Sequence, residues 1–517
     1  MRSIIAFLFL LLALPVASSA DDAEGLPPGL PQLGLARDCS YIQRNAAHPR
    51  NSQAEKIAKA IDPRLIGSAA LPMSLSERMR IRRVPGVSIA VIRNGHLSWA
   101  QSFGVRDTST CEPVTIDTAF QAGSISKSLT AVLAMQAVDK GILSLDQNIN
   151  SYLNRWQLTP SKDVVADTTA TLRQLLSHTA AVSQPDSQGV RPGEPSYGIL
   201  QALRGEPPAK GQPVQIVGIP GREWSYSNGG YLVVQLALED SQKTSFIQLA
   251  QQQILRPLNM QRSSFDQPPS YPNLAAGHHI GRPFIDKAYG VPELAAGGLW
   301  SNPTDLVHFL IAVRNAVKGG DDRILPQRLA QIMIEPGKGD WGLGFSIDGR
   351  RFGHSGARWG MMSKMWIDQD TGDGIVVMSN GEEGLSLADE IIRTAANIYG
   401  WKGLQSRPFG AARDAGPIFV RGTMNDWGTS AKMTSIGRNH FAATLQIAAG
   451  PQSFKLASED WSTFVLGASG QTSLSKVEVL DAEGPDITVN FPADGKYRFL
   501  MEAPDSARAT LTIQPIE

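Results

Sequence analysis

The placement of the strand signals constrains this chain most. "VPGVSIAVIRNGHLSWAQSFG" (84–104) reads as strand, turn, strand, because Asn94-Gly95 is the pair a two-residue hairpin turn demands and apolar alternation flanks it. Comparable strand signals return only at "LGFSI", "RRFGHSG", "MMSKMWID" and "GIVVMSN", between 343 and 380. The text between is helical. A helix follows Ser124, "TLRQLLSHT" (171–179) is a short one, and 229–243 and 304–317 read as amphipathic helices. "SLSERMRIRR" (74–83) precedes the hairpin as a helix, and "SLADEIIRTAANIYG" (386–400) closes the region. Residues 183–222, dense in Pro and Gly, read as a long ordered loop. Strands at both ends of a helical middle are satisfied by one antiparallel sheet built from the two ends, with helices packed on it and a helical subdomain: an α+β fold.

With 517 residues the chain exceeds what one compact core usually serves. Residues 1–20 read as an export signal: Arg2, the apolar run 4–14, then "SSA" at 18–20. The run is too short for a membrane span, and no later stretch is apolar enough for one. A periplasmic or secreted location is expected. Residues 21–55 form an N-terminal extension, 56–405 the main domain, and "SRPFGAARDAG" (406–416) a linker. Residues 417–517 show only short strands, which predicts a β-sandwich of about a hundred residues. Lys plus Arg number 48 and Asp plus Glu 48, so there is no basic footprint for nucleic acid. In an oxidising compartment the two cysteines, Cys39 and Cys111, can form a bridge or stand as buried thiols. Neither has a partner at metal-ligand spacing.

Chemistry enters at "AFQAGSISKSLTAVLAMQAVDKG" (119–141). A serine hydroxyl is a poor nucleophile until a base takes its proton. One helical turn places Lys127 beside Ser124, and burial or nearby positive charge lets a lysine be neutral. The pattern alone is weak: Ser473 and Lys476 repeat it in the strand-rich tail. Two further stretches add context. "PGREWSYSNGGYLVVQ" (220–235) sets Tyr226 and Asn228 in a loop before a helix, a phenol able to relay a proton and an amide able to orient Lys127 or hold a substrate carbonyl. "FGHSGARWG" (352–360) sets His354 and Gly356 on a strand. Gly356 lets substrate lie close to the strand edge, and the N–H of Ala357 can join that of Ser124 in holding an oxyanion.

S-x-x-K, Y-x-N and H-x-G in this order and spacing resemble the serine β-lactamase/penicillin-binding-protein superfamily, specifically the class C β-lactamase-related branch of D-peptidases and esterases. "LRQLLSHTA", "PLNMQRSSF", "AAGGLWSNPTDL" and "WGLGFSI" resemble stretches of that branch, over about residues 74–400. The resemblance implies a β-lactamase/DD-peptidase-like sheet flanked by helices. It implies Ser124 as acyl-accepting nucleophile, Lys127 as base, Tyr226 as proton relay, and Asn228 and His354 as substrate-positioning groups. Ser124 and Ala357 would supply the oxyanion donors. The reaction is acyl transfer to Ser124 without metal or organic cofactor, on a β-lactam, D-amino-acid peptide or ester. One departure matters: true β-lactamases carry Lys at the place of His354, and a histidine grips a carboxylate only when protonated. The alternative is a binding or sensing protein, slowly acylated by penicillin or anchored to a glycan.

His178 is expected to be structural, His278-His279 not to hold a metal, and Trp300 and Trp341 to pack or wall the cleft. The tail, "IFVRGTMNDWG" (418–428) and "FAATLQIAAGPQSFKLASEDW" (441–461), resembles starch- and glycogen-binding Ig-like modules. That resemblance implies Trp427 and Trp461 stacking on sugar rings and Lys455 bonding hydroxyls; the competing expectation is that both tryptophans pack in the sandwich.

Overall fold

The structure, a computed structural model, describes residues 34–39, 51–61, 73–185, 189–190, 194–209, 211–284, 290–402, 404, 417–437, 440–459, 461, 465–468, 474, 478–482, 486–502 and 509–516. The export-signal reading at 1–20, most of the extension, the linker at 406–416, and the Ser473/Lys476 pair lie outside the described residues.

Helix α1 (Leu75–Ile81) starts on a capping box formed by Ser74 and Glu77. Strands β1 (Gly86–Arg93) and β2 (His96–Asp107) follow, joined at Asn94 and Gly95, both at positive φ as the tight turn requires. After β3 (Glu112–Pro113) come helices α2 (Ser126–Asp139), α3 (Leu172–Leu176), α4 (Asn228–Gln242), α5 (Leu294–Gly297) and α6 (Pro303–Lys318). Strands β4 (Ser346–Asp348), β5 (Arg351–Arg358), β6 (Met361–Asp368) and β7 (Gly374–Ser379) then lead to α7 (Gly384–Tyr399). The seven strands form one antiparallel sheet in the order β3-β2-β1-β7-β6-β5-β4. Its centre is the joint of β1 with β7, running from Val87 opposite Ser379 to Ile92 opposite Gly374. The two ends of the region thus build the sheet, as the strand signals required.

Both faces of the sheet are covered. Val87, Ile89, Val91, Ile375 and Val377 pack with Leu387, Ile391 and Ala395 of α7. The alternate residues Ala90, Ile92, Val376 and Met378 belong to the larger core with α2, α4 and α6. α1 is tied to α7 by Glu390, whose buried carboxylate accepts from Arg78 Nε at 2.9 Å and Arg82 Nη2 at 2.8 Å.

Two expectations need correction. α4 is buried nearly all round, Gly229 through Leu238 without interruption, because α2, α3 and α5 enclose it; it is a central helix, not an amphipathic one. Within 183–222, Ile199–Arg204 is a helix, closed by Gly205 in the left-handed conformation. Cys39 and Cys111 are bridged, with Cα atoms 5.4 Å apart.

The C-terminal strands form a second sheet, in the order 418–422, 450–458, 465–468, 478–482, 509–516, 495–502, 440–447, 434–437, with 487–491 also on 450–458. Val420, Phe454, Leu466, Val489, Phe499 and Leu511 meet in one core, so the sheet folds back on itself to enclose it. Strands 434–437, 465–468 and 478–482 were not anticipated from the sequence, being short and weakly alternating. Among the described residues no helix is long and apolar enough to cross a membrane.

Candidate active site

Ser124 lies not in α2 but in the 3-10 turn Gly123–Ile125 that leads into it. The turn is held by Ser126, whose hydroxyl donates to Gly123 O at 2.6 Å and accepts from Leu299 N–H at 3.0 Å. Lys127, in the first turn of α2, is wholly buried. Its Nζ is 3.1 Å from Ser124 Oγ and donates to Ala296 O at 2.7 Å. Burial first, and the charge of Arg358 second, hold its pKa well below the ordinary lysine value. A neutral amine that spends one N–H on Ala296 O leaves its lone pair for the Ser124 proton.

Tyr226 precedes α4, whose start is capped by Ser227 Oγ accepting from Gly230 N–H at 3.1 Å. The Tyr226 ring lies 4.9 Å from Lys127 Nζ, and its hydroxyl is hydrogen-bonded to Ser124. Burial pushes the phenol up to about 12, against the opposing effect of that bond, so it is a neutral hydroxyl at rest. Of the two groups, Lys127 is the one whose pKa moves down toward a usable range.

His354 sits on β5 opposite Met365 of β6. Its Nδ1 is bonded to Ser355 O, its buried Nε2 has no partner among the described residues, and burial together with Lys127 lowers its pKa to about 3. His354 is therefore neutral at ordinary pH and offers no cation to a carboxylate. Gly356 is needed for packing: a Cβ there would lie 2.0 Å from Ala122 O and 2.6 Å from Ser363 Oγ. Gly123, at φ +53°, lies on Ala357; a Cβ there would come within 2.8 Å of Ala357 N. The Ser124 turn and the Ala357 backbone are thus in direct contact, which brings the two expected oxyanion donors together.

Asn228 does not orient Lys127. Among the described residues no hydrogen bond joins them, and Ala296 O takes that place. The main chain of Asn228 is held instead by Gln184, whose Oε1 accepts from its N–H at 2.8 Å while Nε2 donates to Tyr226 O. Sequence reasoning missed Gln184 and Ala296. Only the "AAGGLW" stretch signalled Ala296, whose backbone oxygen leaves no residue-type signature.

An aromatic wall closes the Tyr226 side. Trp341 lies 5.9 Å from Tyr226 and 5.2 Å from His354, and Trp224 lies 6.3 Å from Tyr226. Trp341 walls the cleft as expected, whereas Trp300 is fully buried core. The other Y-x-N tyrosines serve structure: Tyr152 donates to Gln147 Oε1 and Tyr271 to Arg262 O. His278 bridges Asn380 O and Thr108 N–H, and His279 pairs with Glu382. Among the described residues no group of His, Cys, Asp or Glu is arranged to hold a metal.

In the C-terminal sheet, the rings of Trp427 and Trp461 are 6.0 Å apart at 43°. Arg421 lies over Trp461 at 4.0 Å, and Trp461 is 38% exposed, so the pair does not lie in the core. Lys455 Nζ is 3.6 Å from Asp486.

Comparison with known proteins places this geometry. The chain is 24% identical over 319 residues to a D-aminopeptidase of Brucella anthropi, covering 58% of this chain and 57% of that protein. It is 25% identical over 332 residues to penicillin-binding protein 4 of Amycolatopsis lactamdurans, covering 60% of this chain and 84% of that one. The chain thus spans little more than half of the D-aminopeptidase. Among solved structures, the octameric penicillin-binding protein homologue from Pyrococcus abyssi superposes with a TM-score of 0.52 at 20% identity, covering 84% of this chain and 98% of that one. Residues 74–399, well over half of the chain, match the beta-lactamase family model. The arrangement around Ser124 lies within that match, and the chain is a member of the beta-lactamase family, within the β-lactamase/penicillin-binding-protein superfamily.

Proposed function

We propose that the chain is an exported hydrolase that forms an acyl-enzyme on Ser124 and releases the acyl group to water. One observation carries this reading: a wholly buried lysine, its pKa held well below the ordinary lysine value, with Nζ 3.1 Å from the Ser124 hydroxyl. Lys127 takes the Ser124 proton as Oγ attacks the substrate carbonyl. The N–H groups of Ser124 and Ala357 receive the oxyanion. As the intermediate collapses, Tyr226 gives its hydroxyl proton to the departing amine or alcohol and takes the one held by Lys127. Water then attacks the ester by the same route in reverse, with Asn228 and His354 lining the substrate.

Neutral His354 favours esters and amides whose leaving group carries no carboxylate over penicillins. The D-aminopeptidase among the relatives supports an amide of a D-amino acid as one such substrate. Turnover of a short-chain nitrophenyl ester, a D-alanyl amide and a chromogenic cephalosporin, each by wild type and Ser124→Ala, tests this. Ester or amide turnover lost in Ser124→Ala supports it. A long-lived penicillin adduct on Ser124 with no turnover supports the sensing alternative. The Cys39–Cys111 bridge supports export, because such bridges persist in oxidising compartments. A mature N-terminus near residue 21 on extracytoplasmic material would test it.

A second reading concerns the tail. The paired, partly exposed Trp427 and Trp461 supply the aromatic faces that sugar C–H surfaces favour. We propose that this sheet binds a glycan. Retention on amylose or peptidoglycan, abolished by Trp427→Ala, tests it; equal elution of both proteins on both matrices argues for a spacer.

A further inference from the structure

His178 follows α3, outside the three motifs, yet its contacts bracket Tyr226. Its main-chain oxygen accepts from the N–H of Ser225 at 2.7 Å. Its ring Nδ1 accepts from the N–H of Ser227 at 3.1 Å. The residue between those two donors is Tyr226, and its ring lies on the imidazole with centroids 4.2 Å apart at 34°. The same residue therefore fixes the backbone on both sides of the tyrosine, through its carbonyl and its ring, and its ring covers one face of the phenol.

The clamp is itself held. His178 is 2% exposed and is packed by Tyr231 and Trp341, each at 5.3 Å, and by Trp224 at 6.2 Å. Its backbone sits at φ +59°, a left-handed conformation that histidine adopts more readily than most side chains. Because Nδ1 accepts a main-chain N–H, the ring proton is on Nε2, which is buried among aromatic rings and has no hydrogen-bond partner among the described residues. Protonating Nδ1 would break the Ser227 bond. Burial, then Lys127 and His354, hold the pKa well below the ordinary histidine value, so that bond persists at ordinary pH.

We infer that His178 is the positioning residue for Tyr226: with its proton on Nε2, it locks Ser225, Tyr226 and Ser227 so that the phenol hydroxyl stays on Ser124. This rests on the reading of Tyr226 as proton relay.

A double-mutant cycle on ester turnover tests it. His178→Gly keeps the backbone conformation and the carbonyl but removes ring and acceptor; kcat falls about 10–100-fold, the scale of a misplaced catalytic group, with KM changed less than about threefold. His178→Asn tolerates the left-handed backbone and can still accept from Ser227, so it recovers kcat to within about fivefold of wild type. In a Tyr226→Phe background, His178→Gly costs less than about twofold more, because the group it positions is already gone. Equal losses in both backgrounds, or a His178→Gly enzyme within about twofold of wild type, overturn the inference. A Tyr226→Phe enzyme with undiminished kcat refutes the relay reading instead.

Should His178→Gly fail to fold, the wild-type protein carries the test by 15N NMR of labelled histidine. The His178 signal, identified by its loss in His178→Asn, should report bare Nδ1 and protonated Nε2 from about pH 5 to 9. A proton on Nδ1 in that range overturns the clamp.

Discussion

Consider Gly123→Ala. The turn that carries Ser124 rests on β5, and an added methyl would sit 2.8 Å from Ala357 N, 2.9 Å from its O and 3.1 Å from its C. Ordinary contact begins at 3.4 Å, so turn and strand must separate by about 0.6 Å. All three atoms are backbone and cannot swing aside. The φ of +53° adds a conformational cost of about 1–2 kcal/mol, and the overpacking about 1–3 kcal/mol. Stability should fall by about 2–5 kcal/mol. Because the displaced atoms carry both proposed oxyanion donors, kcat should fall about tenfold or more with KM less affected. Gly141→Ala is the control: its φ is +69°, but nothing lies within 4 Å of the added methyl. It should lose only the conformational increment and keep full kcat. Urea melts and stopped-flow acylation by a nitrophenyl ester read both quantities. A Gly123→Ala protein that acylates within twofold of wild type, or a Gly141→Ala protein that is equally slow, would refute the reasoning.

Other outcomes follow from the buried charges and the bridge. Lys127→Met should abolish acylation, about 10²–10⁴-fold or more, while raising the melting temperature at pH 7. The native amine is deprotonated where the unfolded one is protonated, so between the native pKa and the unfolded value the wild type gains stability as pH rises, and the variant loses that slope. Wild-type kcat/KM should fall as pH drops through the Lys127 pKa, with no phenol-linked loss until pH approaches about 12. Glu390→Ala should cost about 3–5 kcal/mol by removing the buried carboxylate that Arg78 and Arg82 share. Burial opposes ionisation of Glu390, but the two arginines override it and lower its pKa, so its contribution is full above the unfolded value and fades as pH falls through the native one. Reducing Cys39–Cys111, separated by 72 positions, should lower stability by about 4 kcal/mol in the chain-entropy picture, read as a melt with and without thiol.

What the sequence disclosed was local chemistry and period. Asn94-Gly95 fixed a hairpin because few pairs tolerate that turn, and the strand runs from 343 to 380 declared themselves by alternation. Ser124 and Lys127 were legible because one helical turn relates them. What escaped depends on atoms without residue-type signature: the Ala296 carbonyl that orients Lys127, the Ala357 backbone beneath Gly123, and the backbone donors that His178 collects. α4 misled because its few polar side chains looked like a solvent face, whereas three neighbouring helices enclose it. The packing need at Gly356 was silent for a similar reason: its neighbour is the main chain of Ala122.

The joint of β1 with β7 has a temporal consequence. The first long strand to leave a ribosome finds its inner partner only after residue 379 has been made. Until then the β1–β2 hairpin exposes an open apolar edge, and the nucleophile's turn has no strand to rest on. Closing so long a loop is slow compared with local helix formation. The sheet therefore stays unfinished until almost three quarters of the 517 residues have been made, a delay compatible with the export proposed above.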